Sequence, residues 1–554
     1  MKTDNNASAQ REYDVIIIGG GATGAGTARD CALRGLRVLL LERFDFTAGA
    51  TGRNHGLLHS GARYAMTDGE SAAECIKENM ILKNIANHCV EDTSGLFVTL
   101  PEDDISYQAK FIDACNNVGI HAYPINPKDA IRMEPSVNKS IVGAVVVPDG
   151  SIDPFRLTTA NILDATAHGA TALTFHEVVG FEMSQNRVVG VKTLNHKNGE
   201  RRSYYSKLVI NAGGIWGHKI AQMAGVAVNM FPAKGALLVF GHRVNNVVIN
   251  RCRKPADADI LVPGDMICVI GTTSSRVPYE EIDNMNVTAD EVATLLREGE
   301  KLAPSLASTR ILRAYSGVRP LVAADNDPSG RNISRGIVLL DHAVRDGLEG
   351  FITITGGKLM TYRLMAEWAT DLACRKLGVE VPCTTALRPL PGSTIAGQSE
   401  EAAETPVVES TTPANIQRAE VDRHGELAKR IARTNCYDHS LVCECENVTV
   451  GEVEYAFKEL SADTLTALRR RTRVGMGTCQ GELCSCRAAG LLSRAHGCSE
   501  KAKAELVNFL NERWKGIYPV AWGDSLRGAQ LASWIYGSVC GLNTIKPTDK
   551  IAKK

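Results

Sequence analysis

A chain of 554 residues is longer than one hydrophobic core serves, so two or more domains are expected. Its 62 Lys and Arg balance 62 Asp and Glu, which excludes a global field of the kind that draws a protein onto nucleic acid or an acidic membrane surface; any anion site must be local. No apolar run reaches the about 18 residues of a spanning helix, and Met1 to Arg11 lacks a signal-like apolar core, so a cytoplasmic location is expected.

In chain order, Val15-Ile-Ile-Ile18 is a short apolar strand, followed at once by Gly19-x-Gly21-x-x-Gly24 and a helical run from Ala25 to Arg34. This is the opening of a dinucleotide-binding βαβ unit. Gly19 allows the tight turn, Gly21 lets a pyrophosphate approach the backbone, Gly24 lets the helix pack close to the sheet, and the helix N-terminus offers unpaired N–H groups. A second strand, Arg37 to Leu41, ends in Glu42, whose carboxylate accepts from the ribose hydroxyls of an adenosine and disfavours a 2′-phosphate. NADP is thereby disfavoured, with FAD and NAD both open.

Gly49 to Tyr64 is a glycine-rich segment carrying His55, His59, Arg53 and Arg63, a composition that suits a functional loop. Helical patterns follow at Gly69 to Asn87 and Ala289 to Ala303, and strand-like runs at Ala144 to Val147, Leu208 to Ile210, Ala236 to Phe240 and Gly336 to Leu340. The mix predicts an α/β domain with a β-rich insertion. Cations recur on glycine-rich turns at Tyr315 to Pro320, Arg331 to Arg335 and Gly356 to Arg363, the last running into a helical stretch from Met360 to Leu372.

Between about Gly392 and Ala414 patterned hydrophobics give way to Ser, Thr, Glu, Ala and Pro, which reads as a linker, bounded here as 392–436. Beyond it the chain is helical: Thr449-Val-Gly-Glu452 has capping-box spacing ahead of Val453 to Leu460, and Asp463 to Arg473 and Arg487 to Arg494 read as two more helices. Most of the sixteen cysteines stand singly in apolar stretches, as Cys31, Cys115, Cys268 and Cys374 do, and read as reduced core residues. Cys443-x-Cys445 and, 33 residues on, Cys479-x4-Cys484 break that pattern, with Cys486 as a further candidate. Four thiolates on two short turns hold either zinc or a 2Fe-2S cluster, and spacing does not decide. Trp514, Trp522 and Trp534 suggest a helical cap or docking segment over 501–554.

The N-terminal fingerprint, the turn at Asn211-Ala-Gly-Gly-Ile-Trp216 and the turn at Thr355-Gly-Gly-Lys-Leu359 together resemble the glycine-oxidase and D-amino-acid-oxidase type of FAD enzymes. That resemblance implies FAD, a Rossmann-like FAD domain with an inserted β-rich substrate domain (1–391, substrate part mainly about 65–150 and 220–335), and cofactor contacts from Gly19, Gly21, Gly24, Glu42, Thr51, Asn54, Val178, Gly213, Gly356 and Leu359. The motifs Ser316-Gly-Val-Arg-Pro-Leu321, Gly356-Gly-Lys-Leu-x-Thr-Tyr-Arg363 and His59-x-Gly-x-Arg-Tyr64 narrow it to the flavin-dependent glycerol-3-phosphate dehydrogenases. With the C-terminal region included, the chain resembles the A subunits of the anaerobic members of that family.

The implied reaction oxidises sn-glycerol 3-phosphate to dihydroxyacetone phosphate by hydride transfer to FAD. Electrons then pass through an iron-sulfur centre and partner flavin and Fe-S subunits to a membrane quinone, in anaerobic respiration on glycerol, with those partners holding the chain at the inner face of the membrane. Arg63, Arg319, Arg335 and Lys358 would hold the phosphate and hydroxyls and Tyr64 would donate a hydrogen bond; a phosphate monoester carries almost two negative charges and rewards convergent cations. Arg319 and Lys358 are counted with His59 as catalytic, His59 being the expected base for the C2 hydroxyl and His55 its local competitor. Two positions depart from the aerobic relatives: Gly56 replaces a lysine and Leu237 a histidine, so the contacts of those side chains are not carried over.

Gly475 to Cys484 resembles the helical bacterioferritin-associated-ferredoxin domain, which implies a 2Fe-2S cluster on Cys443, Cys445, Cys479 and Cys484 in a unit spanning 437–500. Arg469, Arg470, Arg471 and Arg473 either offset the cluster's charge or form a solvated face. The alternative readings are an amino-acid or opine dehydrogenase on the same flavin fold, and a noncatalytic electron-transfer protein that keeps FAD and cluster.

Overall fold

Val15 to Ile18 lie at the centre of a sheet because strands flank them on both sides. In this computed structural model, which describes residues 12–322, 336–394, 413–431 and 436–544, the strand Glu12–Ile18 runs parallel to Val38–Leu41 on one side and to Arg201–Asn211 on the other, with Ile17 opposite both Leu40 and Ile210. An unbroken apolar run suits a strand covered on both faces. Val15 and Ile17 pack with Ala25, Ala28 and Met365 on one face, and Ile16 and Ile18 with Val209, Ile220 and Phe351 on the other. Thr171–Leu173 and Phe351–Gly356 extend the parallel order outward, Ile337–Asp341 adds an antiparallel edge, and His176–Ser184 with Arg187–Asn195 forms a meander beside the first half of Arg201–Asn211. The helices Ala22–Leu33 and Tyr362–Leu377 meet closely because alanine and glycine line their contact.

The second sheet has nine strands. Its spine is the antiparallel pair Met230–Phe240 and Ile311–Val322, in which Ala233 faces Arg319. The other strands come from 95–147 and 248–276. Helix Ala289–Leu302 covers one face, opened by a complete capping box between Thr288 and Glu291. This sheet stands against the cationic turns of the first unit.

Within the stretch read as a linker, Ala414–His424 is an α-helix followed by a 3-10 turn, Gly425–Arg430; residues 395–412 and 432–435 lie outside the described residues. The C-terminal unit begins with a short hairpin, Leu441–Cys443 and Val448–Thr449, and continues as helices Val450–Glu459, Leu465–Thr472, Ser485–His496, Ser499–Ile517 and Gly523–Trp534. The capping box expected at Thr449 is only half made. Thr449 accepts from the Glu452 N–H, but the Glu452 carboxylate turns instead to Arg423 and His424. Buried Asp45, just after the ribose-side strand, pairs with Arg471 at 2.6 Å and Arg470 at 2.9 Å and fastens this unit to the flavin unit. Burial works against the charge of Asp45, but the two guanidiniums outweigh it and hold its carboxyl below the usual range.

Candidate functional site

The glycine turn is fixed by its own geometry. A Cβ on Gly24 would lie 1.9 Å from the Gly19 carbonyl oxygen, so no side chain fits there while the turn keeps this shape. Gly21 caps the following helix without a side-chain bond, and the Ala22 N–H donates to Thr51 Oγ1 at 3.1 Å. Glu42 is held in advance: Gly20 N–H and Phe44 N–H donate to its two oxygens at 2.6 and 2.9 Å. Burial pushes its carboxyl up and those two donors pull it back, while each oxygen retains lone pairs for a ribose hydroxyl.

One cavity runs from this turn to the second sheet. Gly19, Gly21, Glu42, Thr51, Asn54, Val178, Gly213, Gly356 and Leu359 line it, and Gly24 lies behind them in the first helical turn. Asn54 staples its loop, donating to Thr51 O at 2.6 Å and accepting from Gly56 N–H at 2.7 Å. Buried Asn211 does the same for its turn, donating to Gly217 O and accepting from Gly213 N–H. The Lys358 N–H donates to Thr361 Oγ1 at 2.9 Å, fixing the third turn.

The other end of the same cavity gathers the expected substrate residues. His59 is 7% exposed, with its ring centroid 5.6 Å from that of Tyr64 and 6.1 Å from that of His55. Lys358 Nζ lies 4.5 Å from the Tyr64 ring centroid, a cation–π contact that orients both. Arg319 donates to the carbonyls of Lys234 and Thr273, each at 3.3 Å, and to Thr272 Oγ1. Arg63 pairs with Asp259 at 3.0 Å. Arg335 lies outside the described residues.

Three partners escaped sequence reasoning. Asp259, 1% exposed, accepts from Arg63, Arg253 and the Ala256 N–H, and so sets where Arg63 points. Thr272 and Thr273 hold Arg319, one of them through its main chain, where no side-chain signal exists. The two departures are built in. Gly56 stands at φ 70, a conformation that disfavours lysine, and a Cβ there would lie 2.9 Å from the Ile152 carbonyl oxygen; Leu237 is buried in the apolar wall.

In the C-terminal unit four thiols contact one another: Cys484 hydrogen-bonds to both Cys443 and Cys479, and Cys479 to Cys445. Hydrogen bonding to Cys484 draws the Cys479 thiol down to about 5 and lowers Cys443, while the same bonds raise Cys484 itself and burial raises Cys445. Cys486 stands outside this group, facing Tyr536 and Cys540. The chemistry of the four donors fits an iron-sulfur cluster.

Comparison with known proteins agrees with this division. The model of the FAD dependent oxidoreductase family matches residues 14–363, and that of the BFD-like [2Fe-2S] binding domain matches residues 441–494. Those descriptions select FAD over NAD and a 2Fe-2S cluster over zinc. The A subunit of the anaerobic glycerol-3-phosphate dehydrogenase of Haemophilus influenzae is 62% identical over 98% of this chain and 95% of its own length. Among solved structures, the FAD complex of glycerol-3-phosphate dehydrogenase from Bacillus halodurans superposes with a TM-score of 0.70, covering 93% of this chain and 97% of that one at 23% identity. Glycine oxidase from Geobacillus kaustophilus, at 18% identity and a TM-score of 0.55, covers 69% of this chain and 99% of its own and shares the fold.

Proposed function

Because the chain belongs to the FAD-dependent oxidoreductase family, and within it to the A subunits of anaerobic glycerol-3-phosphate dehydrogenase, we propose that it oxidises sn-glycerol 3-phosphate at C2 to dihydroxyacetone phosphate. The observation that carries this reading is the single cavity lined at one end by the flavin turns and at the other by His59, Arg63, Tyr64, Arg319 and Lys358. Bound FAD supplies the hydride acceptor. Arg63, Arg319 and Lys358 match a phosphate dianion with charge-assisted bonds, and Arg335 is assigned with them by the family resemblance alone. His59, buried against Tyr64, takes the hydroxyl proton as the C2 hydrogen leaves.

Cys443, Cys445, Cys479 and Cys484 hold a one-electron centre at the exit, which a two-electron donor needs when it feeds a chain of carriers. Partner subunits with further flavin and Fe-S centres take the electrons to a membrane quinone and tether the chain to the inner face of the membrane; among the described residues no helix is long and apolar enough to cross it.

Dye-coupled oxidation of glycerol 3-phosphate tests the reading. Arg319→Ala should raise KM about 10- to 100-fold, the weight of a charged hydrogen bond. His59→Ala should lower kcat about 10²- to 10⁴-fold, with flavin absorbance retained in both. Unchanged turnover in both variants sinks the assignment.

A further inference from the structure

A second cavity, of 1120 Å³, lies between the flavin unit, the second sheet and the C-terminal unit. The turn from Arg53 to His55 lines both this cavity and the first, and Cys445 lies on the far wall. Of the cations on its surface, Arg470 is matched by Asp45, Arg473 by Glu446, Arg156 by Asp265, Arg423 by Glu452 and Arg243 by Glu91, while Arg418 and Lys515 are exposed to solvent. Arg53, Arg313 and Arg469 are different.

Each comes from a separate part of the molecule: Arg53 from the end of the turn Ala50–Gly52, Arg313 from the strand Ile311–Val322, and Arg469 from the helix Leu465–Thr472. The buried Nε atoms of Arg313 and Arg469 have no hydrogen-bond partner among the described residues, nor does Nη2 of Arg473. The Arg313 guanidinium packs on the backbone of Gly516, where a Cβ would lie 2.7 Å from Nη2. Burial, and the repulsion of neighbouring arginines, push all three guanidiniums below their ordinary range. Glu512 is the one carboxylate that acts on all three. Enclosed cations with unmet donors are costly unless a counter-charge joins them. An excess of two positive charges suits a dianion.

We propose that this cavity is a second anion site, in which Arg53, Arg313 and Arg469 hold a small phosphate-class dianion, either inorganic phosphate or a phosphate monoester. The guanidinium fork matches phosphate oxygens, and three forks from three elements surround one anion in a way that a merely solvated helix face does not. The site shares the turn at Arg53 with the first cavity but uses none of the residues assigned to the substrate, and it does not depend on the reaction assigned to them.

Calorimetric titration of the full chain, loaded with FAD and cluster, with inorganic phosphate at low ionic strength tests the proposal. The unmodified protein should bind two phosphates and Arg319→Ala should retain one at the arginine cavity. Adding Arg313→Gln or Arg469→Gln to that variant should weaken the remaining site about 10- to 100-fold. Thermal unfolding checks folding: millimolar phosphate should raise the Tm of Arg319→Ala and leave that of Arg319→Ala/Arg469→Gln unmoved. Titrating Arg319→Ala with glycerol 3-phosphate distinguishes the sources, since saturable heat admits the monoester and heat with phosphate alone assigns the free anion. A single phosphate per chain that disappears with Arg319→Ala overturns the proposal. So does equal phosphate affinity with and without Arg469.

Discussion

Asp259 sets where Arg63 points from behind the wall of the first cavity. Its single buried carboxylate accepts from Arg63, Arg253 and the Ala256 N–H, so its loss takes away the carboxylate that Arg63 pairs with and leaves Arg253 only the longer contact to Glu298, at 3.4 Å. Asp259→Ala should therefore raise KM for glycerol 3-phosphate about tenfold through a displaced Arg63, and lower stability by about 3–5 kcal/mol, the cost of breaking a buried pair. Steady-state kinetics and thermal unfolding read the two effects separately, and an unchanged KM removes Asp259 from the positioning of Arg63. At this scale legibility followed chain distance. Gly19, Gly21, Gly24 and Glu42 declare themselves because a turn, a helix start and a strand end lie within one short stretch, whereas Asp259 meets Arg63 across 196 residues with nothing local to mark it. The fixed spacings of His59-x-Gly-x-Arg-Tyr64 and of the Arg319 motif made those residues readable too. Arg313 lies on no such pattern and Arg53 is marked only by its glycine-rich loop, so that the two are brought together with Arg469 only by the fold.

Elements were legible where burial made them uniform. The apolar run Leu208 to Ile210 pointed to a strand, but the strand begins at Arg201, because its first half is partly exposed in the meander and carries charged and polar side chains. The helix Ala414–His424 is the clearest miss. Its buried residues are Ile416, Glu420, Arg423 and His424, so ion pairs stand where apolar residues usually signal packing, and the stretch reads as polar linker. Glu452 answers Arg423 and His424 together, and Arg423 and His424 in turn hold it ionised despite complete burial. Glu452→Ala should strand the buried Arg423 charge, leave His424 without its carboxylate partner and destabilise the C-terminal unit by about 3–5 kcal/mol. Loss of cluster content and a lower Tm, with flavin still bound, are the expected readings; a variant with full cluster and unchanged Tm contradicts the role.

For the whole molecule, length and the composition shift announced several domains, but not how they meet. The meeting includes buried ion pairs, Asp45 with Arg470 and Arg471 and Arg473 with Asp153 and Asp265, beside apolar contacts such as Val520 in the core of the second sheet. The pH dependence follows from the sign of the Asp45 shift. Its folded-state pKa is depressed, so its contribution is fully present above the unfolded value of about 3.9 and is lost as pH falls through the lower, folded value. The Tm difference between the parent and Asp45→Asn should be constant near neutrality and shrink below about pH 4. A difference that persists unchanged into strong acid would show that the contact is not electrostatic.

The order of the central sheet bears on how the chain is made. Glu12–Ile18 finds one parallel neighbour at once, but its other neighbour is Arg201–Asn211, which in turn borders Phe351–Gly356. Residues near the start must therefore wait on the ribosome until the greater part of the chain has emerged, and closing such distant strands is slow. The hairpin and helices that gather the four thiols are made later and are local in sequence. Synthesis thus sets a sequence of maturation, in which the flavin cavity is completed only once Tyr362 has emerged and the iron-sulfur unit is assembled after it.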